Sequence, residues 1–112
     1  MSECIMNGDV TCADRYVGDP YIQHNPYSPN GKAAVVNWLK SNSVTYTPGG
    51  VIGNCDIAMV YGRYGSGLGP KPKVAVDIFR VSNGHISEHW DIMQDEVPAD
   101  QTVSKNPMFT RL

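Results

Sequence analysis

One stretch near the C-terminus constrains this chain more than any other: Lys73 to Gln94, KVAVDIFRVSNGHISEHWDIMQ. Two runs rich in Val, Ile, Phe and Trp flank Ser82-Asn83-Gly84, which predicts a β-hairpin. Asp77, His89 and Asp91 interrupt runs that are otherwise apolar on both faces. Carboxylates buried in such a sheet require a partner or a task. Side chains alternate faces along a strand, so Ala75, Asp77, Phe79 and Val81 share one face of the first strand. On the second strand Ser87, His89, Asp91 and Met93 share a face. A two-residue Asn83-Gly84 loop places Asp77 opposite Trp90; a three-residue Ser82–Gly84 loop places it opposite His89. The second register also sets Arg80 and Glu88 diagonal to one another on a common face, and a gathered polar set with opposed charges favours it. One face then holds Asp77, Phe79, His89, Asp91 and Met93.

The rest of the chain narrows the classes of function. At 112 residues, 41% of them hydrophobic, residues 1–112 form a single domain able to fold alone. A net charge of -2 and scattered Lys71, Lys73 and Arg80 give no surface for nucleic acid. No stretch is long and apolar enough for a membrane span, and Met1-Ser2-Glu3 does not open a signal peptide. Cys4, Cys12 and Cys55 are odd in number and lack Cys-x-x-Cys spacing, so they are read as reduced thiols of a cytoplasmic protein. No metal is expected, because His and Cys never cluster at ligand spacing.

Taken in order, Asp9 can cap a short helix with Val10, Ala13 and Val17 on one stripe, ended by Gly18-Asp19-Pro20. Tyr21 to Pro26 (YIQHNP) is a short extended segment before the turn Ser28-Pro29-Asn30-Gly31. His24 in it can cap a turn or bond a backbone carbonyl, or it can face a pocket. A helix over Lys32–Lys40 carries Ala34, Val35, Trp38 and Leu39 as its apolar stripe. A short strand over Val44–Thr47, a Pro48-Gly49-Gly50 turn and a long strand over Cys55–Tyr64 follow. Gly65 to Pro72 (GSGLGPKP) is a connection rather than a phosphate loop, since no helix and no Gly-Lys-Ser/Thr follow it. Asp95 to Leu112 reads as an extended tail with an apolar anchor at Met108-Phe109. Helices gathered ahead of antiparallel strands predict an α+β fold. A strongly curved sheet wrapped around the helices leaves a concave apolar pocket.

The segments YIQHNP (Tyr21–Pro26) and VDIFR (Val76–Arg80), with NG-x-I-x-EHWD over Asn83–Asp91, resemble SnoaL-like proteins of the NTF2-like superfamily over about Asp9 to Phe109. The resemblance implies a cone-shaped α+β barrel, with a small hydrophobic molecule in its pocket and no metal or organic cofactor. It also implies a homodimer through the outer sheet face bearing Val76, Ile78, Trp90 and Ile92. Members include polyketide cyclases that close rings by an aldol step, and relatives include ketosteroid isomerases and epoxide hydrolases. It implies Asp91, His89, Asp77 and His24 as the catalytic set, with Tyr21, Trp38, Phe79, Met59 and Met93 as substrate contacts; Trp38 has a core reading as well. The region ahead of the Asp9 helix is short for the family, which implies a more open pocket or one closed by a partner subunit. The Asp-Arg-Asp set of the epoxide hydrolases has no match, because Arg80 points outward and Arg63 stands alone.

Aldol closure and double-bond migration both need a base beside a carbonyl and a donor for the enolate. Asp91 is expected to be that base, oriented by His89 or His24, with a protonated Asp77 as donor. The alternatives are a non-catalytic ligand-binding domain or a dimeric scaffold, with Asp77 and His89 paired only to hold the cavity in shape.

Overall fold

A computed structural model describes residues 10–41 and 44–112; the Asp9 cap, Cys4 and the Asn42-Ser43 end of the second helix lie outside the described residues. The elements are α1 (Val10–Tyr16), β1 (Val17–Gln23), α2 (Lys32–Ser41), β2 (Thr45–Gly53), β3 (Ile57–Ser66), β4 (Lys73–Ser82), β5 (His85–Asp95) and a 3-10 turn at Ala99–Gln101. Five strands form one sheet in the order β1-β5-β4-β3-β2. The α+β reading holds, with one change: β1 joins parallel to β5, so the sheet is mixed rather than wholly antiparallel. Gly18-Asp19-Pro20 lies within β1 and does not form a terminating turn. Pro20 is tolerated there because β1 is an edge strand, where a missing N–H costs no ladder bond.

β2 runs straight through Pro48-Gly49-Gly50, where a turn was expected. Its register passes from Pro48↔Gly62 to Gly50↔Tyr61, leaving Gly49 as an extra residue in a bulge. β3 starts at Ile57, two residues later than expected, because the Asn54 side chain accepts from the Asp56 and Ile57 N–H groups and closes a turn. The tail docks as an anchor on the outer face. Tyr61 Oη donates to the Met108 carbonyl, the Tyr61 and Phe109 rings lie 5.3 Å apart, and the Leu112 N–H bonds to Gly49.

The β4–β5 hairpin corrects the expected register. Ser82 pairs with His85, so the loop has two residues, Asn83 (φ 53) and Gly84 (φ 77), both left-handed as this turn demands. The register then shifts between Arg80↔Glu88 and Val81↔Ile86, which leaves Ser87 as a bulged residue. The extra residue undoes the face change that a two-residue loop alone would impose. Asp77 ends up opposite Asp91, and Phe79 opposite His89. All five residues expected on one face therefore share it.

Two apolar clusters flank that face. Ala13, Val17, Tyr21, Val35 and Leu39 join α1 and α2 to β1, with Trp38 and Ile86 packed against them. Tyr46, Tyr64 and Ala75 form the second cluster, with Val60, Leu68 and Met93 beside it. Gly62 is required in the second: a Cβ there would lie 2.2 Å from Tyr46 Oη. Cys12 is disulfide-bonded, contrary to the expectation of three reduced thiols, and Cys55 is free and exposed. With Cys12 oxidised, the cysteines give no indication of a reducing compartment. No helix among the described residues is long and apolar enough to cross a membrane.

Candidate active site

Between the two clusters lies a cavity of about 600 Å³. α2 contributes Ala34, Val35 and Trp38 to its wall, and the sheet contributes Tyr21, Tyr64, Phe79 and Met93. Tyr27 to Pro29 and the Leu68-Gly69 connection also line it. Asp77, His89 and Asp91 open into this apolar hollow, and Asp77 and His89 are only 4% and 8% exposed.

Each polar group on the cavity floor has a defined partner. Tyr64 Oη donates to Asp77 Oδ2 at 2.7 Å, and His89 Nε2 meets Asp77 Oδ1 at 2.8 Å. His89 Nδ1 lies 2.6 Å from Gln23 Oε1, which also accepts the Asn25 backbone N–H at 3.1 Å. A backbone N–H only donates, so that Gln23 atom is the carbonyl oxygen and Nδ1 carries a proton. The remaining His89–Asp77 contact must then hold one proton, as imidazolium with carboxylate or as imidazole with carboxylic acid. Asn25 Nδ2 donates to Asp91 Oδ2 at 2.7 Å, and His89 Nε2 lies 3.8 Å from the same oxygen. Among the described residues no fully buried side-chain nitrogen or oxygen lacks a partner.

Three phenols sit close to this charge. Burial, then the charges of Asp77 and Asp91, push Tyr21 well above the ordinary phenol range, against a hydrogen bond with Gln23 that lowers it. Burial and the Asp77 charge push Tyr46 up to about 12. Tyr64 is raised further by burial, by the Asp77 charge and by its hydrogen bond to Asp77. All three remain protonated donors at neutral pH.

Asp77, His89 and Asp91 present three possible ligand atoms within 4.8 Å of one another. Both Asp77 oxygens and both His89 nitrogens are already spent on protein partners. A cation would have to break the His89–Asp77 bond, so the arrangement fits a hydrogen-bonded cluster better than a resident metal site.

Of the residues singled out in the sequence, Asp77, His89, Asp91, Tyr21, Trp38, Phe79 and Met93 line the cavity. His24 and Met59 do not. His24 follows inward-facing Gln23 and so faces outward, stacked on Trp90 with ring centroids 4.8 Å apart and planes 1° from parallel. Met59 pairs with Ile78 on the outer face and is 43% exposed. Gln23, Asn25 and Tyr64 were missed. Arg80 does point outward, bonding Glu88 at 3.0 Å, and Arg63 is held at 2.8 Å by Glu96 through both Nε and Nη2. Neither arginine lines the cavity.

This arrangement of helices against a curved mixed sheet, with a cavity between them, is the NTF2-like fold. An NTF2-like protein of unknown function from Cytophaga hutchinsonii superposes with a TM-score of 0.72 at 10% identity, over 82% of this chain and 81% of that one. A provisionally assigned polyketide cyclase from Acidithiobacillus ferrooxidans gives 0.66 at 14% identity, over 82% and 80%. An LEH-like epoxide hydrolase from M. tuberculosis gives 0.67 at 16% identity, over 82% and 75%. No protein-family model and no curated protein matches the sequence. At these identities the likeness establishes the fold and leaves the chemistry to the cavity.

Proposed function

We propose that this protein is a cofactor-independent acid/base enzyme acting on a small hydrophobic carbonyl compound, by aldol cyclisation or isomerisation. The observation that carries the reading is a carboxylate, Asp91, fixed by Asn25 at the wall of a largely apolar cavity beside a fully partnered His89–Asp77 pair. Asp91 takes the proton from the carbon next to the carbonyl, and the electron pair moves onto the oxygen as an enolate. The Tyr21 phenol donates a hydrogen bond to that oxygen. In a cyclisation the enolate carbon then bonds to a second carbonyl carbon, whose oxygen takes up the proton. In an isomerisation the proton returns from Asp91 to a different carbon. Asp77 moves from expected donor to positioning residue, since both its oxygens are occupied by Tyr64 and His89. The neighbouring folds named as polyketide cyclase and epoxide hydrolase are consistent with a pocket enzyme.

A non-catalytic ligand-binding domain is the rival, favoured by the pairing of every fully buried side-chain nitrogen and oxygen among the described residues. Incubation with cyclic and aromatic ketones in deuterated water separates the two. An enzyme exchanges the proton next to the carbonyl at a rate that scales with protein concentration, whereas a binder shifts ligand resonances and exchanges nothing. Homodimer formation through the outer face belongs to the same proposal: Ile92 there is 72% exposed. Sedimentation of the protein beside an Ile92→Glu variant tests it, with a shift towards monomer expected in the variant.

A further inference from the structure

Residues 23 to 25 carry contacts on both faces of the sheet. Inward, Gln23 holds His89 and Asn25 holds Asp91. Between them, the His24 N–H bonds to the His89 carbonyl at 2.9 Å. Outward, the His24 ring lies flat on Trp90 and its Nε2 meets Glu88 Oε2 at 2.6 Å. The bonds from His24 and then Arg80 hold Glu88 below the usual carboxylate range, so Glu88 accepts and His24 Nε2 donates. Arg80 closes the group, bonding Glu88 at 3.0 Å with its guanidinium 5.5 Å from the Trp90 ring centre. These partners are on β4 and β5, the strands that carry Asp77, His89 and Asp91. β1 is an edge strand whose C-terminal end pairs with β5 at Ile22↔Glu88 and Gln23↔His89, with the Gln23 N–H bonded to Asn30 Oδ1, and the His24 clasp adds a side-chain tie on the outer face to these backbone ones.

We infer that His24 is a positioning residue acting from the outer face: its clasp on Glu88 and Trp90 fixes the segment through which Gln23 sets the His89 ring and Asn25 sets the Asp91 carboxylate. The inference rests on the cavity being the functional site, and its test uses ligand-free protein so that the two can fail separately. Nitrogen-15 NMR reads the His89 Nδ1 proton and the Asn25 side-chain amide. His24→Ala removes ring and donor, and Glu88→Ala removes the acceptor. Ile22→Ala, on the same outer face of β1 and 44% exposed, is the control. Loss of a charge-assisted hydrogen bond predicts about tenfold faster exchange of both reporter protons in His24→Ala, and a change in the same direction in Glu88→Ala. Ile22→Ala should leave both at the wild-type rate. Unchanged reporters in His24→Ala would overturn the inference, as would an equal effect in Ile22→Ala. If His24→Ala does not fold, Glu88→Ala against the control decides by the same criterion.

Discussion

Removing the Asp77 carboxyl tests the proton accounting on the cavity floor. In Asp77→Ala, the Tyr64 hydroxyl loses the acceptor it meets at 2.7 Å, and His89 Nε2 loses the partner it meets at 2.8 Å. Each stranded buried group costs about 1–3 kcal/mol, so the pair costs about 2–6 kcal/mol. Water entering from the cavity would hold the loss to the lower half of that range. A domain of this size has about 5–15 kcal/mol in all, so urea unfolding should show a large drop in midpoint with the slope unchanged. Asp77→Asn is the informative partner variant. Its amide N–H can donate to a neutral His89 Nε2 while its carbonyl accepts from Tyr64, in nearly the same shape. It should stay within about 1 kcal/mol of wild type. Asp77→Ala within about 1 kcal/mol of wild type would refute the claim that this carboxyl satisfies two buried groups. Asp77→Asn as damaging as Asp77→Ala would show that charge, not pairing, holds the site.

Two further outcomes follow from the same packing. Tyr21, Tyr46 and Tyr64 have folded-state values raised above the ordinary 10.0, so the unfolded chain loses those protons first. The stability they contribute is fully present below pH 10 and is lost above it, at about 1.4 kcal/mol per pH unit for each phenol, with Tyr46 levelling off near pH 12. Alkaline unfolding followed by tyrosinate absorbance should show three of the six phenols ionising together with unfolding; independent titration of all six would contradict this. Gly62→Ala puts a methyl group 2.2 Å from Tyr46 Oη and should cost about 1–3 kcal/mol in thermal unfolding, and a Tyr46→Phe background should recover part of it.

The shared face of the hairpin was legible in the sequence although its register was not. Alternation alone places Asp77, Phe79, His89, Asp91 and Met93 together once any pairing that gathers them is chosen. The actual pairing combines a two-residue turn with a bulge at Ser87, and no residue type marks a bulge there. His24 illustrates the converse. Tyr21 and His24 are three apart on an extended segment, so both cannot point into one cavity. With Tyr21 inward, alternation selects Gln23 and Asn25, the two residues missed. Met59 fails in the same way, opposite the outward Ile78. Tyr64 was hidden for a different reason: it reaches Asp77 from β3 across thirteen residues, and the Val60↔Asp77 pairing that puts both on one face is a register no local pattern records. The parallel placement of β1 is likewise a tertiary result, set by how α1 and α2 pack against the sheet.

The most direct test of the central claim is deuterium exchange next to the carbonyl of a bound ketone, comparing wild type with Asp91→Asn. The asparagine keeps the shape at the cavity wall but cannot take a proton. The account predicts protein-dependent exchange in wild type, its loss in Asp91→Asn, and ligand affinity and melting temperature nearly unchanged between the two. Equal exchange in both proteins, or a bound ketone that never exchanges in wild type, would contradict it.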